Sequence, residues 1–313
     1  MKYLLLSMNP GFDRWHIVET EPKLPRVCRA NKALGIVSGK GLNVARAFHR
    51  LGFENYSCLN IEGGRIGRLI SAACRDEGLN VQGFEVGDES RINLTILKEY
   101  ERDTMSYNEP GPCLLPAETG GFLHAVRERL ASNPDAALVI SGSAPDGFDL
   151  AAYLRMLDDA RADGHPVMAD IGGAWLPETV GGPLALLKIN REEFELAFGF
   201  DGYADTAALT CFAMRKGIKT VVLTDGASGS ISVSGHDVVR CTLLQGCGGC
   251  WAVGSGDAFF AGYLSALADE CPPAECMKVA NACGIANTFV YGPCTFDAAA
   301  VKDCYGSVGI EIN

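Results

Sequence analysis

Short apolar runs alternate with amphipathic segments along much of this chain. KYLLLS opens it as a predicted buried strand, and from about residue 135 the runs ALVISGS, PVMADI, LALLKIN and TVVLTDG recur between segments of helical periodicity. Apolar runs of this length are typical of parallel strands covered on both faces. The alternation therefore predicts an α/β fold. A Rossmann-type, mostly parallel sheet would be flanked by helices, with functional loops at the carboxyl ends of its strands.

Two stretches, at about 10–37 and 88–110, interrupt this alternation. Both carry β-type segments with polar turns, such as RINLTILKEY, and neither carries a helix signal. They predict a small β-sheet lid formed by two insertions. SISVSGHDVVRCTLL follows TVVLTDG directly and predicts a hairpin that extends the main sheet. Because neither an internal repeat nor a linker is found, residues 1–313 are interpreted as one domain that carries the lid.

Composition narrows the class of protein. With 313 residues and 48% hydrophobic content, the chain can bury a large core. The net charge of −11 argues against nucleic acid or an anionic membrane surface as partner, because both need a basic face. No apolar run approaches the ~18 residues that span a bilayer, and KYLLLS is too short for a signal peptide core. We expect a cytoplasmic protein with a small-molecule partner, which can still be anionic.

The 13 cysteines do not predict a disulfide framework, because their number is odd, they are scattered and no export signal precedes them. Reduced thiols are expected instead. The one cluster, Cys247-Gly-Gly-Cys250 with Cys241 upstream, would allow half a zinc site or a redox pair. No second CxxC motif or nearby histidine pair completes it, so structural cysteines are the favoured interpretation.

The segment AVGSGDAFFAGYLSAL, at 252–267, carries the strongest candidate chemistry. Gly254, Ser255 and Gly256 bracket a turn at the start of an apolar helix, where converging backbone N–H groups and the helix dipole suit a phosphoryl group. Asp257 would be a base beside this anion hole. The pair predicts phosphoryl transfer to a hydroxyl whose proton Asp257 removes. The alternative is an ordinary acidic N-terminal residue of a packed helix.

A second glycine-rich motif, SGKGLN, precedes the predicted helix VARAFHRL, which ends at Gly52. Gly39 and Lys40 can present backbone amides and a cation to a phosphorylated ligand, and Asn43 can bond a hydroxyl as donor and acceptor. The motif is not a Walker P-loop, because Gly41 follows the lysine and no correctly spaced upstream glycine exists. A plain glycine-rich turn is the alternative interpretation.

Single polar residues supply further substrate-side candidates. Asp13 follows the first strand, and its carboxylate can accept hydrogen bonds from substrate hydroxyls. Arg91 and Asn93 begin a lid strand, and Arg26 lies in a polar stretch. Ser143 follows the ALVI strand, where ligands bind in open sheets. Each has an ordinary alternative as a turn residue or a solvated side chain.

Two more strand ends predict nucleotide-side chemistry. Asn190 and Glu193 lie one helical turn apart after Lys188, and their oxygens could organise Mg²⁺ through water. An N-cap asparagine with a capping-box glutamate is the alternative. Thr224-Asp-Gly226, with Gly229, ends another strand and could contact nucleotide phosphates or merely turn the chain.

In order and placement, these motifs resemble the PfkB (ribokinase-like) family of sugar kinases over nearly the whole chain. SGKGLNVARAFHRLG is close to the family's GGKGxNVARAxxRLG, and AVGSGDAFFAGYL is close to its TGAGDxFxAGxL. MNPGFD and SGSAPDG resemble the NPAxD and SGSxPxG segments of the branch that phosphorylates sugar phosphates, the 1-phosphofructokinase and tagatose-6-phosphate kinase type. LLKINREEFE and VVLTDGASGS are similar to its KPNxxEL and TxGxxG elements.

The resemblance implies a ribokinase-like fold, a β lid that often mediates homodimers, and an ATP- and Mg²⁺-dependent kinase of a phosphorylated ketohexose. A role for a monovalent cation stays open. Asp257 would be the catalytic base beside the anion hole. The implied substrate-side residues are Asp13, Arg26, Gly39, Lys40, Asn43, Arg91, Asn93 and Ser143. The implied nucleotide-side residues are Lys188, Asn190, Glu193, Thr224, Gly226, Gly229 and Asn287, with Asn190 and Glu193 near Mg²⁺ through water and Asn287 near the adenine.

Five positions depart from the family pattern, and they keep two alternatives open. Ser255 preserves a small residue in the anion hole, whereas Ser38 and Gly11 alter the sugar side, Ile189 replaces a proline, and Asp225 adds an anion. The alternatives are a kinase of an unphosphorylated sugar or nucleoside, and a non-catalytic sugar-phosphate sensor on the same fold. A dinucleotide oxidoreductase is disfavoured, because no GxGxxG follows the first strand.

Overall fold

The computed structural model describes residues 1–21 and 28–312, which form two β-sheets and the helices around them. The strands are β1 (Lys2–Ser7), β2 (Gly11–Val18), β3 (Lys32–Ser38), β4 (Tyr56–Gly63), β5 (Val81–Val86), β6 (Arg91–Lys98), β7 (Asp103–Asn108), β8 (Ala136–Ser141), β9 (Val167–Asp170), β10 (Leu186–Asn190), β11 (Thr220–Thr224), β12 (Ser230–Ser234), β13 (Asp237–Leu243) and β14 (Val308–Ile312). The helices are α1 (Lys40–Leu51), α2 (Gly64–Asp76), α3 (Pro116–Ala131), α4 (Leu150–Ala162), α5 (Trp175–Thr179), α6 (Arg191–Phe198), α7 (Thr206–Lys216), α8 (Ser255–Ala268), α9 (Pro273–Asn287) and α10 (Ala298–Tyr305).

The main sheet has the strand order β14-β13-β12-β11-β10-β9-β8-β1-β4-β5. Neighbours from β11 to β5 pair in parallel, and β12, β13 and β14 add antiparallel strands at the other side. The predicted hairpin is the β12–β13 pair. Parallel pairing brings the carboxyl ends of the central strands to one edge, where α/β folds place their ligand sites. The predicted α/β fold class, with a mostly parallel sheet flanked by helices, is confirmed.

Apolar residues cover both faces of the main sheet. In β1, Tyr3 and Leu5 face one core, and Leu4 and Leu6 face the other. All four are buried, which explains why KYLLLS is a continuous apolar run rather than an alternating one. Helices α1, α8 and α9 pack together on the first face, and α3 and α4 contribute to the second.

The small sheet has the strand order β3-β2-β6-β7, and its strands come from the two stretches that interrupt the alternation. It confirms the second, smaller sheet of the predicted fold. One face is apolar and packs against two aromatic side chains of the main body. The residues in this contact are Trp15, Ile17, Ile36 and Leu97 of the small sheet, with Trp251 and Tyr291 of the main body.

The described residues show the state of the cysteines and the apolar length of the helices. All thirteen cysteines are free thiols. No helix within residues 1–21 and 28–312 is long and apolar enough to cross a membrane.

Candidate active site

The N-termini of α1 and α8 meet at the carboxyl edge of the main sheet. Lys40 is the first residue of α1, which follows strand β3 of the small sheet. Asp257 lies in the first turn of α8. The two helices are in contact, and Nδ2 of Asn43 donates a 2.7 Å hydrogen bond to Oδ2 of Asp257 across 214 residues of sequence. The two strongest sequence motifs therefore form one site.

Asp257 is buried at this edge, with 6% of its surface exposed. Burial raises the pKa of its carboxyl to about 6, because the charged form loses its water. Lys40, Lys188 and the Asn43 amide oppose the shift, and Asp170 adds to it. A carboxyl with this pKa is deprotonated at neutral pH and remains basic enough to accept a hydroxyl proton.

The turn before α8 requires glycine at position 254. Its φ is +86°, and a Cβ there would lie 2.5 Å from a Pro293 carbon. The N–H of Ser255 donates to Ala252 O at 3.0 Å, whereas the N–H groups of Gly254 and Gly256 make no hydrogen bond with the described residues. Unpaired amides at a helix N-terminus favour an anion. Two of the three predicted anion-hole amides are thus available.

Two lysines share one buried carboxylate next to Asp257. Lys40 Nζ lies 3.0 Å from Oδ1 of Asp170, and Lys188 Nζ lies 3.2 Å from Oδ2. Burial would raise the pKa of Asp170 and lower that of Lys40, but the ion pairs prevail, so the Asp170 pKa is lowered and the Lys40 pKa is raised. A Cβ on Gly256 would lie 2.9 Å from Lys188 Nζ, so this ammonium stands against the turn before α8.

Asp170 is a site residue that the motifs do not reveal. It ends β9 with 1% of its surface exposed, after three buried apolar residues. The signal in the sequence is the single acidic residue of PVMADI at the carboxyl end of a predicted parallel strand. Charged side chains are rarely buried unless they are paired, and the two lysines supply that pairing here.

A cavity of about 370 Å³ opens beside this cluster. Lys40 and Arg91 line it, together with Ser143 and Glu193. One Arg91 nitrogen donates to Asn9 O at 2.7 Å, but its buried Nε has no hydrogen-bond partner within the described chain. Burial lowers the pKa of this guanidinium, which stays protonated at neutral pH. Two cations therefore line one cavity, which we call the substrate-side cavity.

Other predicted substrate residues do not line this cavity but lie at the junction of the two sheets. Asp13 is 7% exposed, and its Oδ1 accepts hydrogen bonds from Ser38 Oγ and, at 2.7 Å, from Asn93 Nδ2. Burial raises the pKa of Asp13, and these hydrogen bonds oppose the shift. Gly39 directly precedes α1. The predicted residue Arg26 lies outside the described residues.

A second cavity, of about 510 Å³, is reached through Gly256, the residue that stands against Lys188. Predicted residues Thr224, Gly226 and Gly229 line it, and so do Ser255 and Gly256 of the turn before α8. We call it the nucleotide-side cavity. Its remaining lining includes the loop that follows β13, which the sequence analysis did not assign to a site. These loop residues are Leu244, Gln245, Gly246, Cys247, Gly248 and Gly249.

Asn287 does not line either cavity. It is fully buried, and its Nδ2 donates to Val253 O at 2.9 Å and to Ser255 Oγ at 3.1 Å. Its Oδ1 accepts from the N–H of Cys294 at 2.7 Å. The amide thus holds the turn at the start of α8, and its place near an adenine stays a prediction.

The unusual anion Asp225 is paired. Arg191 bridges it to Asp201, with nitrogen to oxygen distances of 2.8 Å to Asp225 and 2.5 Å to Asp201. The added negative charge is therefore compensated locally at the edge of the nucleotide-side cavity.

Asn190 and Glu193 have different roles in the structure. Asn190 is the N-cap of α6, and its Oδ1 accepts the Glu193 N–H at 2.7 Å. The Glu193 carboxylate lines the substrate-side cavity beside Gly172 and makes no hydrogen bond with described residues. A free carboxylate fits a hydrated Mg²⁺. Among the described residues, no group of three His, Cys, Asp or Glu side chains could hold a metal directly.

Comparisons with known proteins agree with this fold. The pfkB family carbohydrate kinase pattern matches residues 15–299. A 1-phosphofructokinase of Xanthomonas campestris pv. campestris is 29% identical over 90% of this chain and 89% of its own. Phosphofructokinase-2 of Escherichia coli, in complex with substrates and products, superimposes with a TM-score of 0.87 at 23% identity over 98% of this chain and 99% of its own. A carbohydrate kinase of Agrobacterium tumefaciens does so with a TM-score of 0.76 at 22% identity over 100% of both chains.

The fold and the family match together define a phosphotransferase that acts on carbohydrates. The chain belongs to the pfkB family of carbohydrate kinases.

Proposed function

We propose that this carbohydrate kinase transfers the γ-phosphoryl group of ATP to a hydroxyl of a phosphorylated ketohexose. The observation that carries the proposal is that Asp257 lies beside the Lys40–Asp170–Lys188 cluster, of which Lys40 lines one cavity and Lys188 stands against Gly256 of the other. Two ligands bound there would face each other across the base. Phosphoryl transfer requires little beyond such positioning and charge stabilisation.

Asp257 is the general base of the proposed reaction. Its carboxylate accepts the proton of the attacking hydroxyl, and the Asn43 amide holds the carboxylate in place. The free N–H groups of Gly254 and Gly256 then hold the transferring phosphoryl group. The Lys188 ammonium, next to Gly256, stabilises the negative charge that develops there.

The substrate-side cavity favours an acceptor that already carries a phosphate. Lys40 and Arg91 both line it, and the unpartnered Arg91 Nε offers a donor for a phosphate oxygen. The names of the matched 1-phosphofructokinase and phosphofructokinase-2 point to the same substrate class. An unphosphorylated sugar would leave the Arg91 guanidinium without an anionic partner in the cavity, whereas Lys40 is already paired with Asp170.

Mg²⁺ fits the Glu193 carboxylate through water, whereas Asn190 already serves as a helix cap. Because Glu193 lines the substrate-side cavity, the ion would neutralise charge on the phosphoryl group that is being transferred. The loop that follows β13 would hold the nucleotide base and sugar, because it lines the nucleotide-side cavity.

The small sheet completes the proposed enzyme as a lid of a single domain. Its apolar face packs on Trp251 and Tyr291, so lid and main body share an apolar contact. Its outer strand β7 exposes Met105 and Tyr107, at 43% and 57% of their surfaces. We propose this strand as a homodimer contact, which light scattering of the wild type and of Tyr107→Lys tests.

A coupled assay of ADP release tests the substrate class. Fructose 1-phosphate, tagatose 6-phosphate, fructose 6-phosphate, free fructose and free tagatose are compared with ATP and Mg²⁺. We expect kcat/KM for at least one phosphorylated ketohexose to exceed that for the free sugars by ~10²-fold or more, because charged hydrogen bonds are strong. Equal or greater activity on a free sugar would favour the unphosphorylated substrate, and binding without ADP release would favour a sensor.

A further inference from the structure

Arg46 is a buried cation behind the site. The proposed reaction gives it no role. It lies in α1, one helical turn after Asn43, and 1% of its surface is exposed. Its guanidinium donates two hydrogen bonds to the Glu77 carboxylate, at 2.6 and 3.1 Å. It also donates to Val37 O at 2.6 Å, to Pro293 O at 3.1 Å and to Asn43 Oδ1 at 3.4 Å.

The contact with Asn43 fixes the orientation of that amide. A guanidinium has donors only, so the atom of Asn43 that faces Arg46 has to be the oxygen. The amide nitrogen then faces Asp257, to which it donates the 2.7 Å hydrogen bond. With the amide reversed, two donors would meet at Arg46, and the Asn43 oxygen would meet the Asp257 carboxylate. Arg46 therefore selects the amide orientation that stabilises an ionised Asp257.

Arg46 also restrains the backbone around the site through its hydrogen bonds to Pro293 O and Val37 O. Pro293 stands directly behind Gly254, because a Cβ on this glycine would lie 2.5 Å from Pro293. Val37 lies in β3, at the junction of the small sheet with α1. One guanidinium thus connects the backbone behind the proposed anion hole, the entry to α1 and the amide that contacts Asp257.

We infer that Arg46 is a positioning residue for phosphoryl transfer, which orients the Asn43 amide toward Asp257 and holds the backbone behind Gly254. The inference rests on the proposed function, in which Asp257 is the base. A lysine at this position keeps the charge but has one ammonium, which cannot reproduce the planar set of donors. A role limited to the Glu77 ion pair would leave the chemistry unchanged once the protein is folded.

The test compares Arg46→Lys with Arg161→Lys. Arg161 is a matched control, because its guanidinium also bonds a carboxylate and backbone carbonyls, those of Asp158, Pro183 and Thr179. Both variants are measured for kcat and for the pH profile of kcat/KM, with the folded fraction fixed by active-site titration. We expect Arg46→Lys to lower kcat by ~10-fold or more and to shift the acid limb upward by roughly half a pH unit. Arg161→Lys should change only stability.

A double variant distinguishes an effect of Arg46 on the Asn43 amide from a general loosening of the protein. If Arg46 shifts the acid limb through Asn43, Arg46→Lys should cause no further shift in an Asn43→Ala background. If Arg46→Lys does not fold, Arg46→Gln/Glu77→Gln replaces the ion pair by a neutral amide pair and should show the same shift. An unchanged acid limb and kcat in the folded variant would overturn the inference.

Asp257→Asn, assayed alongside, distinguishes a failure of the Arg46 inference from a failure of the proposed function. Loss of activity in Asp257→Asn with an unmoved Arg46→Lys profile overturns the role of Arg46 alone. Full activity in Asp257→Asn overturns the base assignment, and the inference about Arg46 fails with it.

Discussion

Nδ2 of Asn43 donates a 2.7 Å hydrogen bond to Oδ2 of Asp257, so the first helix of the chain holds the proposed base in the eighth. This bond favours the ionised carboxylate, whereas burial favours the neutral form, and the pKa is raised to about 6. The position of the base on the pH scale therefore depends on this amide together with burial and the charges of Lys40, Asp170 and Lys188.

The first prediction concerns pH. The base has to be deprotonated, so kcat/KM should be constant near neutral pH and fall as pH drops through about 6. Asn43→Ala removes a contact that lowers the pKa, so the acid limb should move to higher pH. Asn133→Ala, far from the site at the end of α3, is the control. A limb that stays in place in Asn43→Ala would show that the amide does not set the pKa.

The second prediction concerns the shared carboxylate. Asp170→Asn leaves Lys40 and Lys188 without their buried partner, so it should lower kcat and reduce the free energy of unfolding by about 3 kcal/mol or more. Urea unfolding and steady-state kinetics measure both effects. Asp159→Asn breaks the exposed pair with Arg127 and should cost less than about 1 kcal/mol, without kinetic effect. Equal stability changes in the two variants would argue against the buried cluster.

The third prediction concerns Gly256 in the first turn of α8, where a substitution should affect kcat more than stability. Gly256→Ala should leave the protein folded, since the gain of up to about 1 kcal/mol in helix propensity opposes the cost of moving the Lys188 ammonium. The added Cβ would lie 2.9 Å from Lys188 Nζ and displace that ammonium, so kcat should fall by ~10-fold. Ser255→Ala should retain kcat, because the proposed hole uses backbone N–H groups. A fully active Gly256→Ala would remove Lys188 from the transfer step.

The fourth prediction concerns the acceptor phosphate. Arg91→Met removes one of the two cations of the substrate-side cavity, so KM for a phosphorylated ketohexose should rise by ~10-fold or more. The KM for ATP should stay close to the wild-type value. Arg14→Met, on the exposed side of neighbouring strand β2, serves as control. An unchanged KM for the sugar phosphate would place its phosphate elsewhere.

The two glycine-rich motifs predict the location of the site, because a glycine turn and a helix start can both be recognised from the local sequence. Asp257 and Lys40 each follow glycines at the start of an apolar helix, and those helices meet in the fold as the parallel sheet predicts. The α/β class followed from continuous apolar runs, since Tyr3, Leu4 and Leu5 have to be buried on both faces.

Contacts made by isolated side chains could not be predicted in this way. Asp170 belongs to no motif, and its two lysines come from positions 130 and 18 residues away in sequence. The hydrogen bond from the buried amide of Asn287 to the backbone of Val253 is equally hidden, because burial and amide geometry are not encoded in spacing. The role of Arg46 needs the positions of four partner residues at once.

The most direct test of the central claim is the turnover of Asp257→Asn. The variant is assayed at pH 7 by ADP release with ATP, Mg²⁺ and the best phosphorylated ketohexose, and sugar binding is measured separately by calorimetry. Asparagine keeps the size of the side chain but cannot accept the proton, so we predict that kcat falls by ~10²-fold or more while sugar binding is largely retained. Turnover close to that of the wild type would contradict the assignment of Asp257 as the base.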